Sequence, residues 1–400
     1  MKKILFVMNN LSSGGAEKSL SSLLSSIDYS KFEVDLLLFR DDGIYFQNLP
    51  EKIKILQAPE NYKYFDMSFK TAVVNNIKRG RLNLIVARIK ASVIFKLEKN
   101  RARCEQRAWK YIGPTFNALE NEYDVAIGYL EKTSIYYVVD YVNAKKKIGW
   151  IHTHYTNSGM DPKFDKLYFD KLDKLIAVSK ECANSLRNTF NDFQDKVQVI
   201  HNIVSPNTIR FLSNIEATHK NKLLTGTNKI VTVGRLAHEK GIDLAIESCS
   251  ILVETGYEIN WKIIGYGTDE ELLKFNKIIE QRNLIGKFEL IGVKTNPYPF
   301  IKNSDIYVQP SRYEGKSIAI EEAKILAKPI VITNFSSASD HIDHKENGLI
   351  AEMSPKSLAQ AIKLIIDNAE LKNKLMNNLS KNNFGTESEI EKFYNLCLEN

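Results

Sequence analysis

Two carboxylates with seven residues between them, Glu314 and Glu322, are the first side chains in this sequence that could do chemistry. They lie in Ser311-Arg312-Tyr313-Glu314-Gly315-Lys316-Ser317-Ile318-Ala319-Ile320-Glu321-Glu322-Ala323. A strand-like run, 305–309, precedes this stretch and is closed by Pro310; a second, 329–333, follows it. Between them 318–326 reads as a helix. Ser317 is placed to cap it, and Pro329 stops it. The unit is a strand, a Gly-containing loop, a helix and a strand, with the helix N-terminus opening at the strand's C-terminal edge. Such a terminus favours an anion, by about 0.3–1 kcal/mol for the dipole alone. Two carboxylates beside it would repel a bare phosphate. They suit a ligand that offers them hydroxyls while amides and cations hold a pyrophosphate, which describes a nucleotide sugar. Taken alone, the same residues also describe an ordinary surface helix with acidic first turns.

Cations and glycines stand at two neighbouring strand ends. Val233-Gly234-Arg235-Leu236 closes the run 229–233, and Glu239-Lys240-Gly241 follows. Arg235 would offer phosphate a planar fork and Lys240 a mobile point charge. Gly265-Tyr266-Gly267 closes 261–264 and permits close backbone approach. At the start of the chain, Gly14-Gly15 separates the first strand from the first helix. It lacks the G-x-G-x-x-G spacing of a dinucleotide site, which counts against an NAD enzyme.

The elements that must position these residues alternate between strand and helix in two series. In the first, 2–7, 32–39, 123–128, 147–151, 174–178 and 196–200 read as strands, with leucines at helical spacing after the first. Residues 205–228 read as a polar, irregular boundary. The second series has strands at 229–233, 261–264, 288–291, 305–309, 329–332 and 349–352. Its helices fall at 242–253, 270–281, 298–302, 318–326 and 355–368, the last announced by Ser354 as cap and Pro355 behind it. Alternation of this kind predicts parallel, doubly wound sheets. The reading is α/β, two Rossmann-like domains facing across a cleft, 1–204 and 205–380. Residues 381–400 add a helix, whose apolar positions at 390–398 must be buried.

Composition and charge narrow the classes. Hydrophobic content of 44% and charged content of 26% are those of a soluble globular protein. Cys104, Cys182, Cys249 and Cys397 lie far apart, against a disulfide framework or zinc site and for a reducing compartment. The apolar run 4–8 is too short for a signal-peptide core, and no apolar run reaches 18 residues. The net charge of +7 is concentrated: residues 63–110 hold thirteen Lys/Arg against three acids, leaving the remainder slightly acidic. Apolar and basic residues alternate there, which suits an anionic membrane surface or the solvated face of packed helices. No nucleic-acid-binding signature accompanies the patch.

Taken together, the chain resembles the retaining glycosyltransferases of family 4, which have the two-domain GT-B fold. The resemblance rests on Gly14-Gly15-Ala16-Glu17, Ile151-His152, Ile176-Ala177-Val178-Ser179, Val199-Ile200-His201-Asn202, Val233-Gly234-Arg235-Leu236, Glu239-Lys240-Gly241, Ile264-Gly265-Tyr266-Gly267 and Pro310-Ser311-x-x-Glu314-Gly315 through Glu321-Glu322-Ala323. It is weakest between about 45 and 120, and it implies that 1–204 serve the acceptor and 205–380 the nucleotide sugar. It implies that Arg235 and Lys240 bind the donor diphosphate, Glu314 the sugar hydroxyls and Glu322 the ribose. Backbone at Gly234, Gly315, Lys316, Ser317 and Ile318 would touch phosphate and sugar, and Gly15 would approach from the other domain. His152 would lie near the donor sugar. The loops at Gly265, Val293 to Tyr298 and Lys316 would choose base and sugar. Lys316 stands where many members carry an aromatic or Leu, and His154 where several carry an acid. His341 and His344 read as a polar loop, not a metal site.

The spaced cysteines and the basic region 63–110 suggest a cytoplasmic enzyme, peripheral on the inner face of the plasma membrane. By the resemblance it would use a UDP- or GDP-sugar, no metal and no cofactor, and glycosylate a saccharide or lipid-linked saccharide in surface polysaccharide assembly. The competing readings are a nucleotide-sugar epimerase and a donor-binding scaffold without catalysis.

Overall fold

The runs Lys2–Met8 and Phe32–Leu38 are apolar almost throughout, as strands covered on both faces must be. In the computed structural model, which describes residues 1–12, 14–46, 49–215 and 226–399, both are central strands of a parallel sheet. Among the described residues the chain divides into two units, one holding 1–12, 16–202 and 388–399, the other 14–15 and 203–387.

The first unit runs β1 (Lys2–Met8), α1 (Gly15–Ser26), β2 (Phe32–Leu38), β3 (Lys54–Leu56), α2 (Lys63–Asp66), α3 (Phe69–Lys78), α4 (Leu82–Leu97), α5 (Arg101–Ile112), β4 (Glu122–Gly128), α6 (Thr133–Tyr141), β5 (Asn143–Ile151), α7 (Pro162–Phe169), β6 (Lys174–Ala177), α8 (Lys180–Thr189) and β7 (Val197–Val199). Its strands are ordered β3-β2-β1-β4-β5-β6-β7, and every pairing is parallel. The order reverses between β1 and β4. Ligands of such sheets bind outside the strand C-termini at that reversal.

The second unit runs α9 (Pro206–Ser213), β8 (Lys229–Val233), α10 (Ile242–Glu254), β9 (Asn260–Ile264), α11 (Asp269–Gln281), β10 (Phe288–Leu290), α12 (Tyr298–Asn303), β11 (Ile306–Gln309), α13 (Ile318–Ile325), β12 (Ile330–Thr333), α14 (Ala338–His341), β13 (Leu349–Ala351), α15 (Pro355–Asp367) and α16 (Ala369–Ser380). Its sheet, β10-β9-β8-β11-β12-β13, is also parallel throughout and reverses between β8 and β11. Apolar clusters cover it on both faces, one around Trp261 and Phe288, the other around Tyr307 and Phe300.

The last helix, α17 (Glu389–Leu398), completes the first unit. Phe393 stacks on Phe6 at 5.9 Å, and the Tyr394 hydroxyl accepts the Asp28 amide at 2.8 Å. Glu389 accepts the His201 amide at 2.8 Å, which ties α17 to the segment after β7.

Part of the expected boundary at 205–228 is ordered instead. Pro206–Ser213 is a helix, and the Ser205 hydroxyl accepts the Thr208 amide at 3.5 Å. Ser-Pro here is a cap followed by a first helical residue, a start signal that also reads as linker composition. Within that stretch, 216–225 lie outside the described residues. The edge strand β3 and helix α16 have no counterpart in the sequence reading; β3 is only three residues long and half-exposed.

Candidate functional site

In the second unit the site is built across the sheet reversal. β8 ends at Val233 and leads through Gly234 and Arg235 to a 3₁₀ turn at His238–Lys240. Gly241 then takes a left-handed conformation, with φ of 65°. A Cβ placed there would lie 1.9 Å from the Pro310 carbonyl oxygen, so only glycine lets this loop close on the end of β11. The contact brings two chain segments together: the Lys240 ammonium reaches Glu314 at 2.7 and 2.8 Å.

Glu314 is nearly buried, at 8% exposure, and well supplied with donors. Its Oε1 also accepts Ser311 Oγ at 2.6 Å and Gln309 Nε2 at 3.1 Å. Ser337 Oγ donates to the Glu314 carbonyl at 3.0 Å. Glu322 is 1% exposed, and its Oε1 accepts the Tyr298 hydroxyl at 3.0 Å. Burial, then the Glu322 charge, pushes the Tyr298 phenol well above its usual range, so it stays a donor. An exposed acidic helix face is therefore excluded: both carboxylates are held inward by built partners.

Arg235 is more open and pairs with Glu239 at 2.9 Å. Gly265 follows β9, where a Cβ would lie 1.8 Å from the Gly234 carbonyl oxygen. Val293 lies half-buried in the loop after β10. Arg235, Lys240, Gly265, Val293 and Glu314 thus all follow the C-terminal ends of β8 to β11, where the sheet order reverses.

Lys316 and Ser317 are engaged differently from the expectation. Lys316 Nζ lies 3.2 Å from Glu321 Oε1, and Lys324 Nζ lies 3.0 Å from Oε2. His341 Nδ1 meets Oε1 at 2.9 Å, while its Nε2 accepts the Ser317 amide at 3.3 Å. Donation into Nε2 leaves the proton on Nδ1, so the ring is neutral and bridges the helix start to Glu321. Burial lowers the His341 pKa in the same sense. Burial pushes Glu321 upward, but His341 and the two lysines outweigh it and hold the carboxyl far below its usual range. Ser317 caps α13 without the expected side-chain bond, its own amide being taken by His341. His341, expected in a polar loop, is 2% exposed at the end of α14.

Sequence reasoning missed a clamp. Arg312 donates to both oxygens of Asp243 at 2.8 and 2.7 Å and to the His238 carbonyl at 2.8 Å. Its amide donates to the Glu239 carbonyl at 2.7 Å. Burial raises the Asp243 pKa, yet the Arg312 fork prevails and lowers it overall. The fork locks the loop carrying Lys240 to the loop carrying Glu314.

In the first unit His152 follows β5; Gly15, which opens α1, groups with the second unit. His152 Nε2 is buried without a hydrogen-bond partner among the described residues. Burial lowers its pKa to about 3, against a backbone bond at Tyr129 that raises it. Glu131, also missed, holds the His152 segment: Oε1 accepts the amides of His152 and Thr153 at 2.5 and 2.8 Å. Ser19 Oγ donates to Asn202 Oδ1 at 2.6 Å and meets the Tyr129 hydroxyl at 2.9 Å. His154 meets Ser185 Oγ at 3.3 Å.

This geometry can be set beside known proteins. Residues 214–383 match the family model of Glycosyl transferases group 1. That segment resembles a glycosyltransferase domain. A poly(ribitol-phosphate) alpha-N-acetylglucosaminyltransferase of Staphylococcus aureus is 27% identical over 61% of this chain and 48% of its own length. An uncharacterized glycosyltransferase of Haemophilus influenzae is 26% identical over 98% of this chain and 99% of its own. The capsular polysaccharide biosynthesis glycosyltransferase CapM of Staphylococcus aureus is 28% identical over 56% of this chain and 62% of its own. The chain therefore spans about half the length of the first of these relatives and nearly all of the second. Among solved structures, Anabaena Alr3699/HepE in complex with UDP-glucose superposes with a TM-score of 0.70, at 14% identity, over 99% of each chain. The two-sheet fold is that of GT-B glycosyltransferases.

Proposed function

We propose that this glycosyltransferase chain moves a sugar from a UDP-sugar, with retention of anomeric configuration, onto a lipid-linked saccharide of a bacterial surface polysaccharide. The observation that carries the reading is the Lys240–Glu314 pair at the reversal between β8 and β11. A cation and a buried carboxylate side by side would suit a diphosphate sugar, which needs both. Arg235 and Lys240 would bind the diphosphate, Glu314 the sugar hydroxyls and Glu322 the ribose. His152, neutral with its lone pair on Nε2, would accept a hydrogen bond from the sugar. The choice of UDP over GDP draws on the UDP-glucose complex of the structural relative.

Retention by a covalent route needs a carboxylate free to attack the anomeric carbon. Glu131 is held by two amides and Glu314 by three side chains. Those bonds favour a front-face course. The acceptor hydroxyl attacks from the leaving-group side, the bond from the anomeric carbon to phosphate oxygen breaks, and the departing phosphate oxygen takes the hydroxyl proton. Arg235 and Lys240 would stabilise the growing diphosphate charge, a contribution of about 3–4 kcal/mol for one well-placed donor. With two cations in that role the proposed transfer needs no metal.

The test is calorimetric titration with UDP, GDP and UDP-sugars, followed by turnover with a lipid-linked acceptor in the presence of EDTA. Binding of UDP and acceptor-dependent UDP release in EDTA are expected, with the new bond in the donor's anomeric configuration by NMR. Donor turnover without acceptor would point to an epimerase. Binding without turnover would point to a scaffold, and abolition by EDTA would overturn metal independence.

A further inference from the structure

Helix α4 has two faces. Leu84, Ala87 and Ala91 are buried on one. On the other, Leu82, Val86, Ile89, Val93 and Leu97 are between 44% and 74% exposed. At 3.6 residues per turn these five positions fall within an arc of about 80°. Lys90 and Lys96 flank the arc about 20° beyond either edge. The adjoining helix α3 continues the surface with exposed Phe69, Val74 and Ile77 beside Lys70 and Lys78. Between 67 and 99 there are eight Lys/Arg and one acid, Glu98. Glu98 is withdrawn from the surface: its side chain is 13% exposed and bound to Arg107 at 2.5 Å.

A surface protein does not normally leave so many large apolar side chains in water on one helix face. We propose that the α3–α4 face docks on an anionic lipid bilayer, with the α4 stripe entering the headgroup–acyl boundary and the lysines on either side meeting lipid phosphates. An apolar stripe edged by cations on a helix lying in the interface plane has this chemistry. No described helix is long and apolar enough to cross a membrane, so the contact is peripheral. A second copy of the chain fits the face poorly, because two like-charged plates would meet with hardly an acid between them. The inference goes beyond the donor site and is measured without turnover.

The experiment is co-sedimentation of the full chain with vesicles of phosphatidylcholine alone or mixed with phosphatidylglycerol. Binding to the anionic vesicles, weakened by salt, is expected. Lys90→Glu with Lys96→Glu should weaken it by about tenfold or more. Ile89→Ser with Val93→Ser should weaken it even where salt has screened the charges. All four positions are exposed, and thermal melts check that the variants fold. UDP titration of the same variants reports on the donor site separately. Loss of vesicle binding with UDP binding intact supports the docking face. Equal binding to both vesicle types, or vesicle binding unchanged in both variants, overturns it. So does a wild-type dimer that the Ile89→Ser, Val93→Ser variant converts to monomer, which would assign the face to a second copy.

Discussion

Lys240 Nζ lies within 2.8 Å of both carboxylate oxygens of Glu314. The cation expected to meet phosphate and the carboxylate expected to meet sugar satisfy each other. The pair therefore has a structural part beside the proposed functional one, and Lys240 and Arg235 should separate on mutation. Lys240→Ala leaves a nearly buried carboxylate with only Ser311 and Gln309, costing about 1.5–3 kcal/mol of stability. Arg235 is half exposed and, among the described residues, pairs with Glu239, so Arg235→Ala should change stability by less than about 0.5 kcal/mol. Both should lower turnover by about 10²–10³. Thermal melts and donor turnover check this, and full activity in either variant removes that residue from the diphosphate site.

The ends of β8, β9 and β11 could be read from sequence because each is an apolar run closed by Gly or Pro. The residues just beyond them are then placed by topology alone. The Arg312–Asp243 fork could not be read: its partners are 69 residues apart and no spacing links them. Glu131 could not be read either, because its partners are backbone amides after another strand. His341 looked like loop polarity, since only the packed fold brings Glu321 and the Ser317 amide to opposite sides of its ring. Ser205-Pro206 is a helix-start signal as well, but the sequence reading takes 205–228 whole as a polar boundary.

Glu321 and His341 give stability a defined dependence on pH. Glu321 has a folded pKa below its ordinary 4.5, so its contribution is whole above that pH and is lost as pH falls below it. His341 has a folded pKa below its ordinary 6.5, so the unfolded chain takes up the proton first. That contribution is whole above about 6.5 and erodes as pH falls through it. The melting temperature should therefore drop between pH 7.5 and 5.5. His341→Asn should start lower at pH 7.5 and show a smaller drop. Glu321→Gln strands two lysines that are 16% and 8% exposed and should cost about 3–5 kcal/mol. Parallel melting curves for wild type and His341→Asn would refute the assignment.

His152 should stay neutral throughout the assay range. Burial holds its pKa at about 3, so neither its charge nor its hydrogen bonding changes between pH 5 and pH 9. Its ring resonances should not titrate near pH 6.5 in an NMR experiment. The pH profile of kcat/KM in the wild type should carry no limb that His152→Asn removes. A titration near 6.5 assigned to His152 would mean that the ring is solvated and would end its reading as a neutral acceptor.

Gly241 tests whether the loop geometry itself holds the site. Its φ of 65° disfavours any side chain, and a Cβ would sit 1.9 Å from the Pro310 carbonyl oxygen, on backbone that cannot rotate away. The left-handed conformation costs Ala about 1–2 kcal/mol. The larger effect is displacement: the loop must lift from the end of β11, which separates Lys240 from Glu314 and strains the Arg312 fork. Gly241→Ala should therefore lose most turnover and weaken UDP binding by more than the strain alone explains. Gly256→Ala is the control, because Gly256 also has a positive φ, 93°, but a Cβ there meets nothing within 4 Å. The control should show backbone strain in its melting temperature with turnover retained. Equal losses of turnover in the two variants would mean that general destabilisation, and not the closure of the Lys240 loop on β11, accounts for the effect.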